Sequence, residues 1–326
     1  MSTIKDVAAH AGVSVATVSR VINETGYVHE STRQKVEQAI KQLNYSPNEV
    51  ARSLFKRKSK LIGLLLPDIT NPFFPELARG VEDRMQESGY RLIFGNSDED
   101  EHKEQDYIQT FTQNNVVGVI SSTNDHTADT YSKLKFPVVF LDRTSGDKPS
   151  VYADGREGGR MAAQEMISRG SRNITVQQGP KHVRPAQDRF EGAVEVLEKS
   201  GTAFQVQLTA SFSYEEAGLK AKELFAEYPW TDGVIASNDI AAAAVLHEAL
   251  KLGRKVPEEL QIIGFDDIPV SNLVYPSLST IHQPAYEMGR AAAELLIELV
   301  EHGHAHQHII QLPVSFVERG TTRKAD

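Results

Sequence analysis

The sequence contains no cysteine. Disulfide staples, thiolate metal sites and thiol catalysis are therefore excluded together, and the composition fits a reducing compartment. No apolar run approaches the ~20 residues that a membrane-spanning helix needs. The first residues lack the short apolar core of a secretion signal, so the expected location is the cytoplasm, with no membrane partner. Aromatic residues are scarce, 7% with a single tryptophan, so an adjacent pair of them asks for a reason. Basic residues are outnumbered, and the net charge is −9. That deficit is uneven: residues 1–60 hold ten Lys and Arg against five Asp and Glu, while the other 266 hold 25 against 39. A basic head on an acidic body singles out the head as the part that meets a polyanion, although +5 over sixty residues is also ordinary surface variation.

What remains is a chain of 326 residues, 40% hydrophobic, long enough for two or three domains with sizeable cores. In "STIKDVAAHAGVSVATVSRVIN", Thr3 and Asp6 have the spacing of a capping box, with Asp in place of the usual Glu or Gln. Ile4, Val7, Ala8 and Ala11 then share one helix face. Gly12 ends that helix, Ser14 caps a second, and Val15, Val18, Val21 and Ile22 recur near the helical period. Two short helices joined by a tight glycine turn predict a helix-turn-helix, with a helical hairpin of some other small domain as the alternative. The outer face of the second helix is Ser14, Ala16, Thr17, Ser19, Arg20 and Asn23. These side chains are slim, neutral or positive, and none is acidic, as a helix entering a major groove requires. A third helix is expected from Ser31 or Thr32 to Leu43.

Next comes "NYSPNEVARSLFKRKSK". Pro47 can begin a helix of about ten residues, too short to be stable alone in water. It would expose Val50, Leu54 and Phe55 beside five basic residues. A segment that folds only on a minor groove wants both, an apolar wedge between base steps and cations on the phosphates.

From Leu61 onward, β-type apolar runs alternate with helix-type runs. "LIGLLLP", "YRLIFGNS", "VVGVISST" and "PVVFLDR" read as buried parallel strands. The rhythm restarts after about Tyr152 with "NITVQQGP", "FQVQLTA", "DGVIASND" and "LQIIGFDD", then "LSTIHQP", a helix, and "HIIQLPVSFVER" as a last strand. The predicted fold class is thus an all-α helix-turn-helix head followed by two doubly wound α/β lobes. Ligands bind such sheets at the carboxyl ends of strands. There stand Asp68 and Asn71, Asp142 and Arg143, Ser237 to Asp239, Asp266 and Asp267, and Gln283. Phe73 and Phe74 follow Asn71 at a helix start, where neighbours point different ways and one core stripe cannot easily take both rings. They line either the cleft wall or a ligand.

Together "TIKDVAAHAGVSVATVSRVIN", "NYSPNEVARSL", "IGLLLPDITNPFFPELARGVE", "VVFLDR", "DGVIASNDIAAAAVLHEAL", "IIGFDDIP" and "LSTIHQPAYEMGRAA" resemble the lactose/galactose repressor family of bacterial transcription regulators, over essentially the whole chain. The body is also similar to periplasmic ribose-binding proteins. The resemblance implies a head at 1–46, a hinge helix and linker at 47–60, and a core at 61–326. Its lobes would be about 61–154 with 285–314, and about 155–284 with 315–326. It implies base reading by Val15, Ala16 and Arg20, with Thr3, Ser14, Thr17, Ser19 and Asn23 at the same DNA surface. Leu54 would be the hinge wedge, with Ala51 beside it. Asn71, Phe73, Phe74, Asp142, Arg143, Arg189, Phe212, Asn238, Asp266 and Gln283 would bind a sugar, ribose fitting best. Rings can cover the flat faces of a pyranose while Asp and Arg take adjacent hydroxyls. The implied function is a homodimeric repressor of a near-palindromic operator, its sugar controlling whether the hinge folds on DNA. A phosphorylated phosphocarrier protein as corepressor, or another pentose as the sugar, is the alternative input. No cofactor and no enzymatic activity are implied.

Two further patterns leave alternatives open. "HGHAHQHII" spaces His302, His304, His306 and His308 two apart, as a polar turn or a metal site would. "GREGGR", Gly155 to Arg160, has the glycines of a phosphate loop but no Lys-Ser/Thr after them.

Overall fold

The structure, a computed structural model, describes residues 2–45, 59–123, 128–143 and 148–324. The expected hinge helix, with Ala51 and Leu54, lies outside the described residues. The chain divides into two compact units, Met1–Ser59 and Lys60–Asp326.

The first unit contains helices α1 (Ile4–Ala11), α2 (Val15–Asn23) and α3 (Glu30–Gln42). Thr3 and Asp6 form the reciprocal capping box: the Thr3 amide donates to Asp6 Oδ2 at 2.7 Å and the Asp6 amide to Thr3 Oγ1 at 3.4 Å. Those bonds from Thr3, backbone first, hold the Asp6 carboxyl below its usual range. Gly12 ends α1 in the left-handed region, φ 65°, and Ser14 Oγ accepts the Thr17 amide to start α2. Val7, Ala8, Val18, Val21, Val36 and Ala39 form the small core. Helix α3 starts at Glu30, before the expected Ser31 or Thr32, because the His29 ring nitrogen Nδ1 accepts the Ser31 amide at 3.4 Å and caps it.

The second unit is built on two six-stranded sheets. In chain order its elements are β1 (Leu61–Leu66), α4 (Phe73–Glu87), β2 (Arg91–Asn96), α5 (Glu101–Gln113), β3 (Gly118–Ser121), α6 (Ala128–Ser132), β4 (Val138–Leu141) and β5 (Ser150–Ala153). Then follow α7 (Gly155–Ser168), β6 (Asn173–Gln178), α8 (Arg184–Ser200), β7 (Ala203–Leu208), α9 (Tyr214–Glu227), β8 (Gly233–Ile235), α10 (Asp239–Lys251) and β9 (Gln261–Asp266). The last are α11 (Val270–Leu273), β10 (Ser279–His282), α12 (Ala285–His302), β11 (Ile309–Leu312) and β12 (Ser315–Val317). The first sheet runs β11-β5-β4-β3-β1-β2 and the second β12-β10-β9-β8-β6-β7. Every pairing is parallel except β10 with β12. The chain therefore passes between sheets after β5, after β10 and after β11, and the lobes share three connections.

Two details differ from the sequence reading. β5, "SVYA", was not read as a strand, being only four residues after a polar loop. "HIIQLPVSFVER" is two strands in different sheets rather than one: Pro313 offers no amide to a ladder, and the chain changes lobes there.

Each lobe has one tight helix crossing made by a glycine pair. α4 meets α12 at Gly80 and Gly289, and α7 meets α8 at Gly159 and Gly192. A methyl at Gly159 would stand 2.0 Å from the Arg189 carbonyl oxygen, and one at Gly192 2.0 Å from that of Arg156. Within "GREGGR", Gly159 thus serves the helix crossing, and Gly158 packs against Phe265 and Ile281 of the sheet. Gly159→Ala is expected to cost about 1–3 kcal/mol by overpacking and to lower the calorimetric Tm by several degrees. Gly218→Ala, where a methyl meets nothing within 4 Å, should instead stabilise α9 by about 0.5–1 kcal/mol.

Candidate functional site

Strands β1, β4, β8, β9 and β10 end facing the space between the lobes, and each delivers a polar residue there. One cavity is lined by Asn71, Phe73, Phe74, Asp142 and Arg143 from the first lobe, and by Val183, Pro185, Arg189, Phe212, Asn238 and Asp266 from the second. Gln283, on the connection after β10, adjoins it by donating to Asp266 Oδ1 at 2.7 Å. The space among these side chains, about 310 Å³, is continuous with solvent.

Local structure fixes each side chain. Asn71 Oδ1 accepts the Phe73 amide at 3.1 Å, so the turn that starts α4 also holds both rings. Phe73 and Phe74 are both buried and meet edge to face with centroids 5.4 Å apart. Asn238 caps α10, its Oδ1 accepting the Ala241 amide at 2.9 Å. Asp142 and Asp266 both have positive φ, 66° and 109°, a conformation that non-glycine residues hold only where surroundings enforce it. For Asp266 the enforcing group is the fully buried Asp239. It accepts the Thr280 hydroxyl at 2.5 Å and the Ile268 amide at 2.9 Å, pinning the turn after β9.

Four buried donor atoms around the cavity have no partner among the described residues: Arg143 Nε and Nη1, Arg189 Nε and Asn238 Nδ2. A buried unpaired donor costs about 1–3 kcal/mol, so such a set marks where an incoming acceptor belongs. The acceptors are equally concentrated. Burial pushes the Asp266 carboxyl up to about 6, Arg189 pulling down and Asp142 adding to the rise. Burial likewise raises Asp142, against the pull of Arg189 and Arg143. Arg189 sits 3.3 Å from Asp266, donates to the Ser237 carbonyl at 3.1 Å and lies 4.0 Å over the Phe265 ring. A ligand entering this cavity meets donors and acceptors side by side between aromatic rings. Hydroxyls, which donate and accept at once, satisfy both sets; a bare anion would face the two carboxylates.

All ten residues placed in the cleft by the sequence reading are thus brought to one place. Val183 and Pro185 were missed. Val183 caps the start of α8 and Pro185 stands in its first turn, and no pattern distinguishes them from core. Asp239, grouped with the strand-end polar residues, supports the turn from beneath.

In the head, Ser14, Val15, Ala16 and Arg20 are exposed, and Ser19, Thr17 and Asn23 are half-buried. The Arg20 side chain has no hydrogen-bond partner among the described residues, while its carbonyl accepts the Thr25 amide at 3.1 Å. Part of the polar set is already engaged: Thr3 in the capping box, Ser14 Oγ with Thr17 Oγ1 at 2.9 Å, and Asn23 Nδ2 donating to the Ser19 carbonyl at 2.8 Å. Val15, Ala16 and Arg20 are left to face a partner. His304 Nδ1 lies 3.0 Å from the His302 carbonyl in the turn before β11. Among the described residues no group of three or more metal-ligating side chains converges, and no helix is long and apolar enough to cross a membrane.

Residues 3–48 match the bacterial regulatory proteins of the lacI family, and residues 163–322 match the periplasmic binding protein-like domain. The ribose operon repressor of Bacillus subtilis (strain 168) is 60% identical over 326 residues, covering 100% of both chains. Among solved structures, the lac repressor dimer bound to operator and the anti-inducer ONPF superposes with a TM-score of 0.91 at 25% identity, covering 98% of each chain. A LacI family regulator from Enterococcus faecium with bound ribose gives 0.72 at 29% identity, over 80% of this chain and 98% of that one. A helix-turn-helix head, a two-lobed core with a polar cleft and a full-length relative of this similarity lead to one conclusion: the chain belongs to the lacI family of bacterial regulatory proteins.

Proposed function

We propose that the chain is a ribose-controlled transcriptional repressor, binding a near-palindromic operator in the cytoplasm as a homodimer. The observation that carries the sugar is the cleft, where unpaired donors of Arg143, Arg189 and Asn238 meet the carboxylates of Asp142 and Asp266 between aromatic rings. The ten cleft residues are the proposed ligand set. The proposed reading set on DNA is Thr3, Ser14, Val15, Ala16, Thr17, Ser19, Arg20 and Asn23, with Ala51 and Leu54 in the hinge. The proposed domains are 1–46, 47–60 and 61–326, with lobe changes near Asp154, Pro284 and Ser315. A cleft so fully equipped for a polyol favours sugar over a phosphocarrier protein as the controlling signal.

The lobes share three connections, so a ligand gripped by both biases their relative position. A coupling of about 1–3 kcal/mol between cleft and head shifts operator affinity about 5–150-fold. Anisotropy on the gene's own upstream DNA, with and without ribose, tests this: release by ribose is the expected result, and indifference to ribose refutes it. Arg20→Ala is expected to weaken operator binding about tenfold, within the 1–3 kcal/mol of one side chain on guanine. Ribose binding by calorimetry should be unchanged in that variant.

A further inference from the structure

Glu99 lies in an acidic run, "SDEDE", that reads as solvated surface. The structure places it otherwise. Its Oε1 accepts from Arg143 Nη2 at 2.8 Å, and its Oε2 lies 3.4 Å from His182 Nε2. Glu99 and Arg143 belong to the first lobe. His182 belongs to the second, in the turn next to Val183 and the start of α8, whose Val183 and Pro185 line the cavity. One carboxylate therefore touches a cleft arginine and the opposite lobe together.

The backbone is built to hold it there. Asp98 and Glu99 are consecutive non-glycine residues with positive φ, 52° and 58°. Such residues persist only when their surroundings over-determine them. The surroundings do so on both sides. The Ser97 amide donates to the Leu66 carbonyl at 2.9 Å, and the Asp100 amide to the Ser97 carbonyl at 2.9 Å. Asp100 caps α5 through the amides of His102 and Lys103, and Asp98 is held by Asn96 and Lys103. Burial opposes the charge on Glu99, but Arg143 and then His182 more than offset it and hold the carboxyl below its usual range. With Nη2 held by Glu99, the Arg143 fork keeps Nε and Nη1 buried at the cavity with no partner among the described residues.

We propose that Glu99 is a positioning residue for Arg143 and, through His182, ties the two lobes across the cleft. This rests on reading the cleft as the sugar site. Glu99 then presents the arginine fork to the ligand and favours the arrangement in which both lobes grip it.

The test combines ribose calorimetry with an interlobe distance measurement. The cysteine-free chain accepts a spin-label pair at Asp106→Cys and Lys222→Cys without background. Glu99→Gln is expected to weaken ribose binding about tenfold and His182→Ala about threefold, the loss of charge-assisted hydrogen bonds. The double variant should be no weaker than Glu99→Gln alone, because the two act on one contact. In both single variants the lobes should sit further apart. Glu99→Gly relieves the left-handed backbone, so it should bind ribose as poorly as Glu99→Gln without losing thermal stability; loss of stability in proportion to binding would make Glu99 merely structural and overturn the proposal. Unchanged affinity and unchanged distance in Glu99→Gln would also overturn it, with ribose still binding wild type. If wild type ignores ribose while Glu99→Gln still separates the lobes, the tie stands and the ligand assignment fails.

Discussion

Arg189→Ala is expected to weaken ribose binding by a factor on the order of a thousand, the largest effect of any single change in the cleft. Arg189 is the cation that faces both buried carboxylates; it opposes the rise that burial imposes on Asp142 and Asp266. Its side chain is 12% exposed, and its position is fixed by the Ser237 carbonyl and the Phe265 ring. Removing one partner of such a buried set leaves uncompensated charge, at a cost of about 3–5 kcal/mol. Part of that cost falls on the protein alone, because the carboxylates protonate or the lobes separate. Urea unfolding and ribose calorimetry on the same variant divide the two shares. Arg189→Lys keeps a charge but loses the planar fork and the stacking on Phe265, so it should recover stability better than affinity. A loss of less than tenfold in Arg189→Ala would mean the carboxylates are not held by this residue.

The parts of the molecule that the sequence made legible are those set by local chemistry. Thr3, Ser14 and Gly12 announce helix ends because a cap needs a particular side chain or a positive φ at one position. Asp142, Arg143 and Asp266 stand out as polar residues directly after β-type apolar runs, and the fold class follows from the alternation itself. What stayed hidden depends on residues remote in sequence. Gly159 reads as part of a phosphate loop until Gly192 is seen across the helix crossing. Glu99 reads as solvated until Arg143 and His182 arrive from β4 and from the other lobe. Val183 and Pro185 carry no chemical signal at all and become cavity wall only by position. β11 and β12 merged into one expected strand because a strand's change of sheet leaves only Pro313 as its mark.

Ribose affinity should depend on pH through Asp266, and the sign follows from its surroundings. In the cleft of the protein alone its carboxyl is raised from 3.8 to about 6, burial being the main cause. The stability linked to that shift is fully present below the ordinary value of 3.8 and is lost as pH rises through about 6. At neutral pH the cleft therefore holds a charge it solvates poorly. Sugar hydroxyls donate to an ionised carboxylate better than to a protonated one, so the ligand stabilises the charged form and relieves that penalty. Binding should be tightest and flat above neutral pH and weaken as pH falls through about 6, by up to about tenfold per unit while one proton must leave. Calorimetry in buffers of different ionisation enthalpy should then register proton release on the acid side. Asp266→Asn removes the titrating group: affinity is expected to fall about a hundredfold at neutral pH, the loss of charged hydrogen bonds. Because burial also raises Asp142, Asp266→Asn should retain a weaker acid dependence, and Asp142→Asn should complement it. An affinity profile unchanged between wild type and Asp266→Asn from pH 5 to pH 8 would show that the carboxylate does not face the ligand.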